Sequence, residues 1–213
     1  MGPLLTGALI TIQLTVMAAL FGGILAILAG VAKMYGNAAV RAFASVYVEV
    51  FRGTSALVQL FWFFFALPLI GIQLTAMAAG VVVLALNLGA YGAEVVRGAV
   101  KAVPKGQWEA CLALNMTRVQ ALRHVVLPQA LVAMLPPASN LVIELLKNTA
   151  LVSLITIPEI TFQAQTLRAA TLQTTAIFSL VLLIYFLIAM VLVYGFRRLE
   201  ANLSQGLHLG RAH

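Results

Sequence analysis

The chain has 213 residues, with 13 Lys plus Arg, 6 Asp plus Glu and a net charge of +7. Soluble domains are about 45–50% apolar and about 25% charged, so a chain that is 62% hydrophobic and 9% charged, with mean hydropathy +1.04, is neither a water-soluble globule nor a disordered segment. The basic residues fall between apolar runs instead of clustering on one polar stretch, a pattern that points to a lipid membrane as partner and not to nucleic acid. A single cysteine, Cys111, excludes an internal disulfide and a Cys-based metal site.

Residues 3–32 carry no charged side chain, and a helix of that length exceeds the roughly 30 Å hydrocarbon thickness. A first span is expected at about 6–32. It reads as retained and not as a signal peptide, because Met1-Gly2-Pro3 has no basic residue and the run is too long. A second uncharged stretch, residues 53–93, is broken by Leu67-Pro68-Leu69-Ile70-Gly71 and must hold two helices joined by a turn. The predicted spans are about 42–67 and 74–97. Glu49 and Arg52 then sit at the inner headgroup boundary three residues apart, where an ion pair is expected ahead of substrate contact. Trp62 among Phe61, Phe63, Phe64 and Phe65 reads as an aromatic belt or as packing.

A polar, basic segment of about 98–128 follows, then a fourth span at about 135–157 and a fifth at about 174–196, ending in Arg197-Arg198. The residues thus describe an all-α polytopic membrane protein, one transmembrane domain over 1–213 with five helices. Lys33, Arg41, Arg97, Lys101, Lys105, Arg118, Arg123, Arg197, Arg198 and Arg211 fall on one side, against Arg168 on the other. The positive-inside rule therefore places the N-terminus outside and the C-terminus in the cytoplasm.

Small residues recur every fourth position at Ala18, Gly22, Ala26 and Gly30, and again at Ala85, Gly89 and Ala93. They let helix backbones approach closely, and packing within the subunit is expected ahead of a seam between subunits. Glu144 and Lys147 lie in the middle of the fourth span, where an ionised group costs at least about 2.5 kcal/mol. Either they pair with each other or they line the solute pathway. Asn87 is a further pathway candidate, since a buried amide serves a solute or a neighbouring helix equally well. With Glu49 and Arg52, these are the candidate substrate-pathway residues.

The segment from Val103 to Pro128 has its own pattern. Pro104 suits a helix first turn, Trp108, Cys111, Leu112 and Ala113 alternate with Gln107, Glu109 and Ala110, and Asn115 stands where the chain has to turn. Thr117 can cap a second short helix with Val119, Leu122 and Val126 on its apolar side. By itself this describes two short helices at the inner face, and an amphipathic helix resting on lipid has the same pattern.

Glu109-Ala110-Cys111, Asn115 and Val125-Val126-Leu127-Pro128 resemble the "EAA" loop of type I ABC importer membrane subunits, E-A-A-x3-G-x9-I-x-L-P. Cys111 stands for the second alanine, Val125 for isoleucine and Asn115 for glycine. Asn is the residue after Gly that best tolerates a left-handed backbone. Phe51-Arg52-Gly53-Thr54, Asn87 to Gly98, Pro104-Lys105-Gly106-Gln107, Leu127-Pro128-Gln129-Ala130 and Leu146-Lys147-Asn148-Thr149-Ala150-Leu151 extend the resemblance to the polar amino acid branch of that family, the histidine, glutamine and arginine permease group. The resemblance implies a bacterial inner-membrane permease that imports a polar amino acid or similar zwitterionic solute. It also implies a second permease subunit, identical or homologous, two cytoplasmic ABC ATPase subunits and an external solute-binding protein. Trp108, Glu109, Ala110, Cys111 and Asn115 would then form the coupling helix that meets the ATPase. The chain has no G-x4-G-K-[ST] loop, so ATP and Mg fall to the partner, and neither cofactor nor enzymatic activity is expected here. An ion-gradient-driven carrier is the main rival, but internal repeats typical of such folds are not evident. A passive channel or scaffold is a second rival, for which Glu144 and Lys147 would be pure cost.

Overall fold

The computed structural model describes residues 2–204, and all regular structure among them is helical. Arg211, counted above with the inner basic residues, lies outside the described residues. Helix α1 spans Gly2–Tyr35, and its buried positions recur every three or four residues from Leu4 to Gly30. That stripe packs along α4, Ala76–Ala102. The small residues permit the contact: a Cβ on Gly22 would come within 2.9 Å of the Ala85 carbonyl and 2.8 Å of Leu88. Both four-residue patterns of small residues therefore serve packing within this chain. Leu5, Leu9, Val16 and Leu20 on the opposite face of α1 are exposed, as lipid-facing side chains are.

The segment expected as one straight second span is not straight. Helix α2, Ala38–Gly53, starts at Asn37, whose side chain accepts the Val40 amide at 2.9 Å. It ends at Gly53, and α3, Ala56–Phe61, leaves at 105° to it. A π-turn, Trp62–Ala66, and a 3-10 turn, Leu67–Ile70, carry α3 onward to Gly71, whose left-handed backbone ends it. The cause of the break lies at Thr54-Ser55, both extended. The carbonyls freed there are taken up by side chains. Gln59 Nε2 donates to Phe51 O at 3.0 Å and to Thr54 Oγ1 at 2.7 Å, and Asn87 Nδ2 donates to Phe51 O at 3.2 Å. An interrupted helix inside a membrane protein needs such donors, because lipid offers none.

Helix α4 begins at its Thr75 cap and runs five residues, 98–102, into the segment expected as loop. Two short helices follow, α5, Lys105–Ala113, and α6, Arg118–Ala121. A π-turn, Leu122–Val126, leads from α6 into α7, Leu127–Asn148, and a 3-10 segment continues it through Ile155. The fourth span thus starts well before the expected residue 135. Pro136 and Pro137 lie inside α7 and do not open it. They withhold amide donors from the Val132 and Ala133 carbonyls, a defect that membrane helices tolerate where neighbours or local turns compensate.

After a left-handed Thr156, helix α8, Ile160–Thr171, lies against the first half of α1. It falls between the expected fourth and fifth spans, where the sequence predicts no element. Helix α9, Thr174–Ser204, packs on α7 and α8, buries Ile177 and Val181 in a cluster with Ile160 and Ala164 of α8 and Leu4 and Ala8 of α1, and exposes Leu182, Phe186, Met190 and Val191. Among the described residues, α1, α4, the run Arg118–Ile155 and α9 are each long and apolar enough to cross a bilayer, and the bent pair Ala38–Gly53 and Ala56–Ile70 makes a fifth crossing when taken together.

Candidate functional site

The loop between α4 and α7 is a built object. Trp108 and Cys111 on α5 face inward, Cys111 buried and Trp108 packed beside a cluster of Ala99, Val100, Val103, Val126 and Ala130. Gln129 Nε2 donates to Gln107 Oε1 at 3.4 Å and joins α7 to α5. The other face carries Glu109 and Ala110, with Leu112 69% and Leu114 74% exposed. Leu112 and Ala113, expected on the same apolar side as Trp108, thus point outward.

Asn115 adopts a left-handed backbone, φ 54°. Its amide donates to Leu112 O at 2.9 Å, and the Met116 amide donates to Cys111 O at 3.0 Å. These two bonds form a Schellman motif, with Asn in the place where glycine is the usual choice. Thr117 then starts α6 with a capping box: the Thr117 amide donates to Gln120 Oε1 at 2.9 Å, and Thr117 Oγ1 accepts the Gln120 amide at 3.3 Å. Val126, expected on the apolar side, is buried, but Val119, expected there with it, is 73% exposed and Ala121 is buried in its stead, the π-turn between 119 and 126 shifting the register.

A second polar locus lies in the cleft between α4 and α7. Asn87, Tyr91, Glu144 and Asn148 line a space of about 10 Å³, room for about one water. Glu144 and Lys147 are both exposed on α7, and Lys147 does not line this cleft. Among the described residues the ion pairs are Lys33–Glu94 and Glu94–Arg97. Glu144 and Lys147 do not pair, and neither do Glu49 and Arg52, which corrects the ion pair expected at the inner boundary. Arg52 instead sits over the Tyr91 ring at 5.3 Å, and Tyr91 OH donates to Arg52 O at 3.4 Å. Glu49 is exposed on α2 and joins no other candidate. The structure therefore brings Asn87 and Glu144 together and leaves Lys147 and Glu49 apart from them.

Three residues that sequence reasoning passed over organise the rest. Glu94 on α4 holds Lys33 of α1 through one carboxylate oxygen and Arg97 through the other, each at 2.6 Å. The Arg97 half was legible as an i, i+3 pair; the Lys33 half depends on the α1–α4 contact. Glu159 is fully buried at the start of α8. It accepts the Phe162 amide at 2.8 Å and the Tyr185 hydroxyl at 3.0 Å. Thr11 Oγ1 of α1 donates to Glu159 at 3.5 Å and accepts the Ile160 amide at 3.3 Å. Burial pushes the Glu159 carboxyl above the usual carboxylate range, although these hydrogen bonds pull the other way. A Pro-Glu pair ahead of an amphipathic stretch was the available signal. Gln59, the third, ties the α2–α3 break, and its Oε1 has no hydrogen-bond partner. Among the described residues no group of three His, Cys, Asp or Glu side chains is placed to hold a metal.

The comparisons agree with this arrangement. The family described as "Binding-protein-dependent transport system inner membrane component" matches residues 22–205. A probable amino-acid ABC transporter permease protein of Sinorhizobium fredii is 48% identical over 211 residues, 96% of this chain and 89% of that one. The L-cystine transport system permease protein of Bacillus subtilis is 40% identical, covering 89% and 82%. The glutamine transport system permease protein of Escherichia coli is 38% identical, covering 94% and 93%. Among solved structures, an amino acid ABC transporter crystallised with histidines superposes with a TM-score of 0.89 at 33% identity over 94% of both chains. The MetNI methionine ABC transporter, at 22% identity and a TM-score of 0.78 over 95% and 97%, shares the fold. This chain belongs to the family of binding-protein-dependent transport system inner membrane components, as a multi-pass ABC importer permease subunit and not an enzyme.

Proposed function

We propose that this chain is the membrane subunit of an importer for a polar amino acid or similar zwitterionic solute, driven by ATP hydrolysis in a separate cytoplasmic ATPase. The observation that carries the reading is the two-sided α5. Its inner face is fixed to α4 and α7, and its outer face, with Glu109, Leu112 and Leu114, is left uncovered among the described residues. A partner groove that takes up that face would move α5 as a rigid piece. The motion would then pass through Trp108 and Val126 to the end of α4 and the start of α7, the helices that carry Asn87 and Glu144.

The working assembly has two permease subunits, this one and an identical or homologous partner, two ABC ATPase subunits and a solute-binding protein. The basic segments mark the cytoplasmic side, with the N-terminus outside. In the α4–α7 cleft, Glu144 supplies a carboxylate for a solute amine, and Asn87, Tyr91 and Asn148 supply neutral hydrogen-bonding groups around it. Relatives named for glutamine and cystine support the amino acid class.

The test is reconstitution of the complex with its ATPase and binding protein, reading uptake and ATP hydrolysis together. Glu109→Lys should reverse the charge of the docking face and lower uptake per ATP hydrolysed while the permease remains folded. Full uptake in that variant would overturn the coupling role. Uptake that survives ATP depletion and collapses with an uncoupler would overturn ATP as the energy source.

A further inference from the structure

A cavity of about 440 Å³ opens where α1, α2, α4 and α5 meet. It is lined by five cations, Lys33, Arg41, Arg97, Lys101 and Lys105, beside Tyr35 and Trp108. Among the described residues the one carboxylate paired with this set is Glu94, which holds Lys33 and Arg97. Lys101 and Lys105 are exposed and carry no ion pair among the described residues. Such a concentration of one sign is unfavourable without an anion to answer it.

A second space lies on the same flank. An almost wholly apolar groove of about 360 Å³ runs between α1 and α2, lined by Leu25, Leu28, Ala29, Val40, Phe43 and Ala44 among others. Helical register links the two spaces: Lys33 lies one turn beyond Ala29 on α1, and Arg41 lies three residues before Ala44 on α2. An apolar groove beside a cluster of cations, with Tyr35 and Trp108 among the cations, has the polarity profile of the inner leaflet, tails to headgroups.

We propose that this corner is a binding site for an anionic phospholipid, its phosphodiester held by Lys101, Lys105 and Arg41 and an acyl chain lying in the groove. Inorganic phosphate could use the cations but not the groove, which is why the lipid is favoured. The apolar groove likewise does not suit an acidic segment of the ATPase. Lys105 opens α5, so an occupied site would brace the lever, and that consequence rests on the coupling role proposed above.

The binding claim is tested without transport, so its failure leaves the coupling role untouched. The full-length chain is purified in mild detergent, incubated with phosphatidylglycerol and with phosphatidylcholine, and the lipid retained is counted by native mass spectrometry. Lys101→Gln with Lys105→Gln should lower phosphatidylglycerol retention about tenfold and leave phosphatidylcholine unchanged. Arg123→Gln with Arg197→Gln removes the same charge elsewhere and should retain the lipid. Equal loss in both double variants, or no loss in the first, would overturn the site. Displacement of phosphatidylglycerol by millimolar inorganic phosphate would assign the cations to a free anion instead. In the assembled transporter, a photo-crosslinker at position 101 should capture lipid, and capture of the ATPase there would likewise overturn the proposal.

Discussion

The Lys33 ammonium meets Glu94 at 2.6 Å across the α1–α4 contact, and the same carboxylate holds Arg97. One acid thus satisfies two cations at the end of a packed helix pair. Glu94→Gln should leave both cations without their counter-charge in a largely buried setting and destabilise the chain by about 1–3 kcal/mol. The check is the thermal midpoint in detergent, and a midpoint equal to that of the parent would show that the clamp contributes nothing.

The α1–α4 seam makes a paired prediction. Gly22→Val would place new atoms where a Cβ already meets Leu88 and the Ala85 carbonyl within 3 Å, whereas Gly23 has nothing within 4 Å. Overpacking of this kind costs about 1–3 kcal/mol. Gly22→Val should therefore lower the folded yield and the thermal midpoint, while Gly23→Val, one residue along, should do neither.

At Asn115, glycine should serve as well as asparagine, since both accept φ 54°. Asn115→Val should cost about 1–2 kcal/mol locally and loosen the end of α5. In the reconstituted complex this should appear as fewer solutes moved per ATP with a normal thermal midpoint for the bundle. Coupling equal to the parent's would mean that the bend at Asn115 does not matter for transmission.

Glu144→Gln should raise the KM for uptake while leaving stability unchanged, because Glu144 is exposed and unpaired. Asn87→Leu should raise the KM and also lower stability, since the amide donates to Phe51 O, a bond worth about 1 kcal/mol. If the two variants transport with the parent's KM, the cleft is structural.

Glu159 gives a pH signature. Its carboxyl titrates above the ordinary 4.5 because of burial. Between 4.5 and that raised value the folded chain keeps a proton that the unfolded chain has released, so stability falls as pH rises through the window. Glu159→Gln is neutral throughout and removes this slope. The midpoint of the parent relative to Glu159→Gln should fall from pH 4.5 towards neutrality, and parallel profiles would contradict the assignment.

What the sequence made legible follows from where its signals are local. Uncharged runs placed α1, α4 and α9, the four-residue recurrence of small residues announced the α1–α4 seam, and the spacing from Glu109 to Pro128 announced α5, its Asn115 bend and the Thr117 cap. The missing features depend on partners distant in sequence. The α2–α3 break is disguised because it falls at the very start of the uncharged run 53–93, where no proline marks it. It is stabilised by Gln59 and by Asn87, 33 residues beyond Thr54. The fourth span starts earlier than the expected residue 135 because α7 carries Pro136-Pro137 within it, where its surroundings take up the defect. The Glu49–Arg52 pair failed because Arg52 found Tyr91, on another helix, a better neighbour.

The π-turn Leu122–Val126 stands between the α5–α6 loop and the helix that bears Glu144. Such a turn holds one more residue than an α-turn, and each residue of an α-helix sweeps about 100° around the axis. Tightening that single loop of backbone would screw one side against the other, so on the proposed coupling role a straight shove at α5 would reach Glu144 as a change of heading as well as of depth.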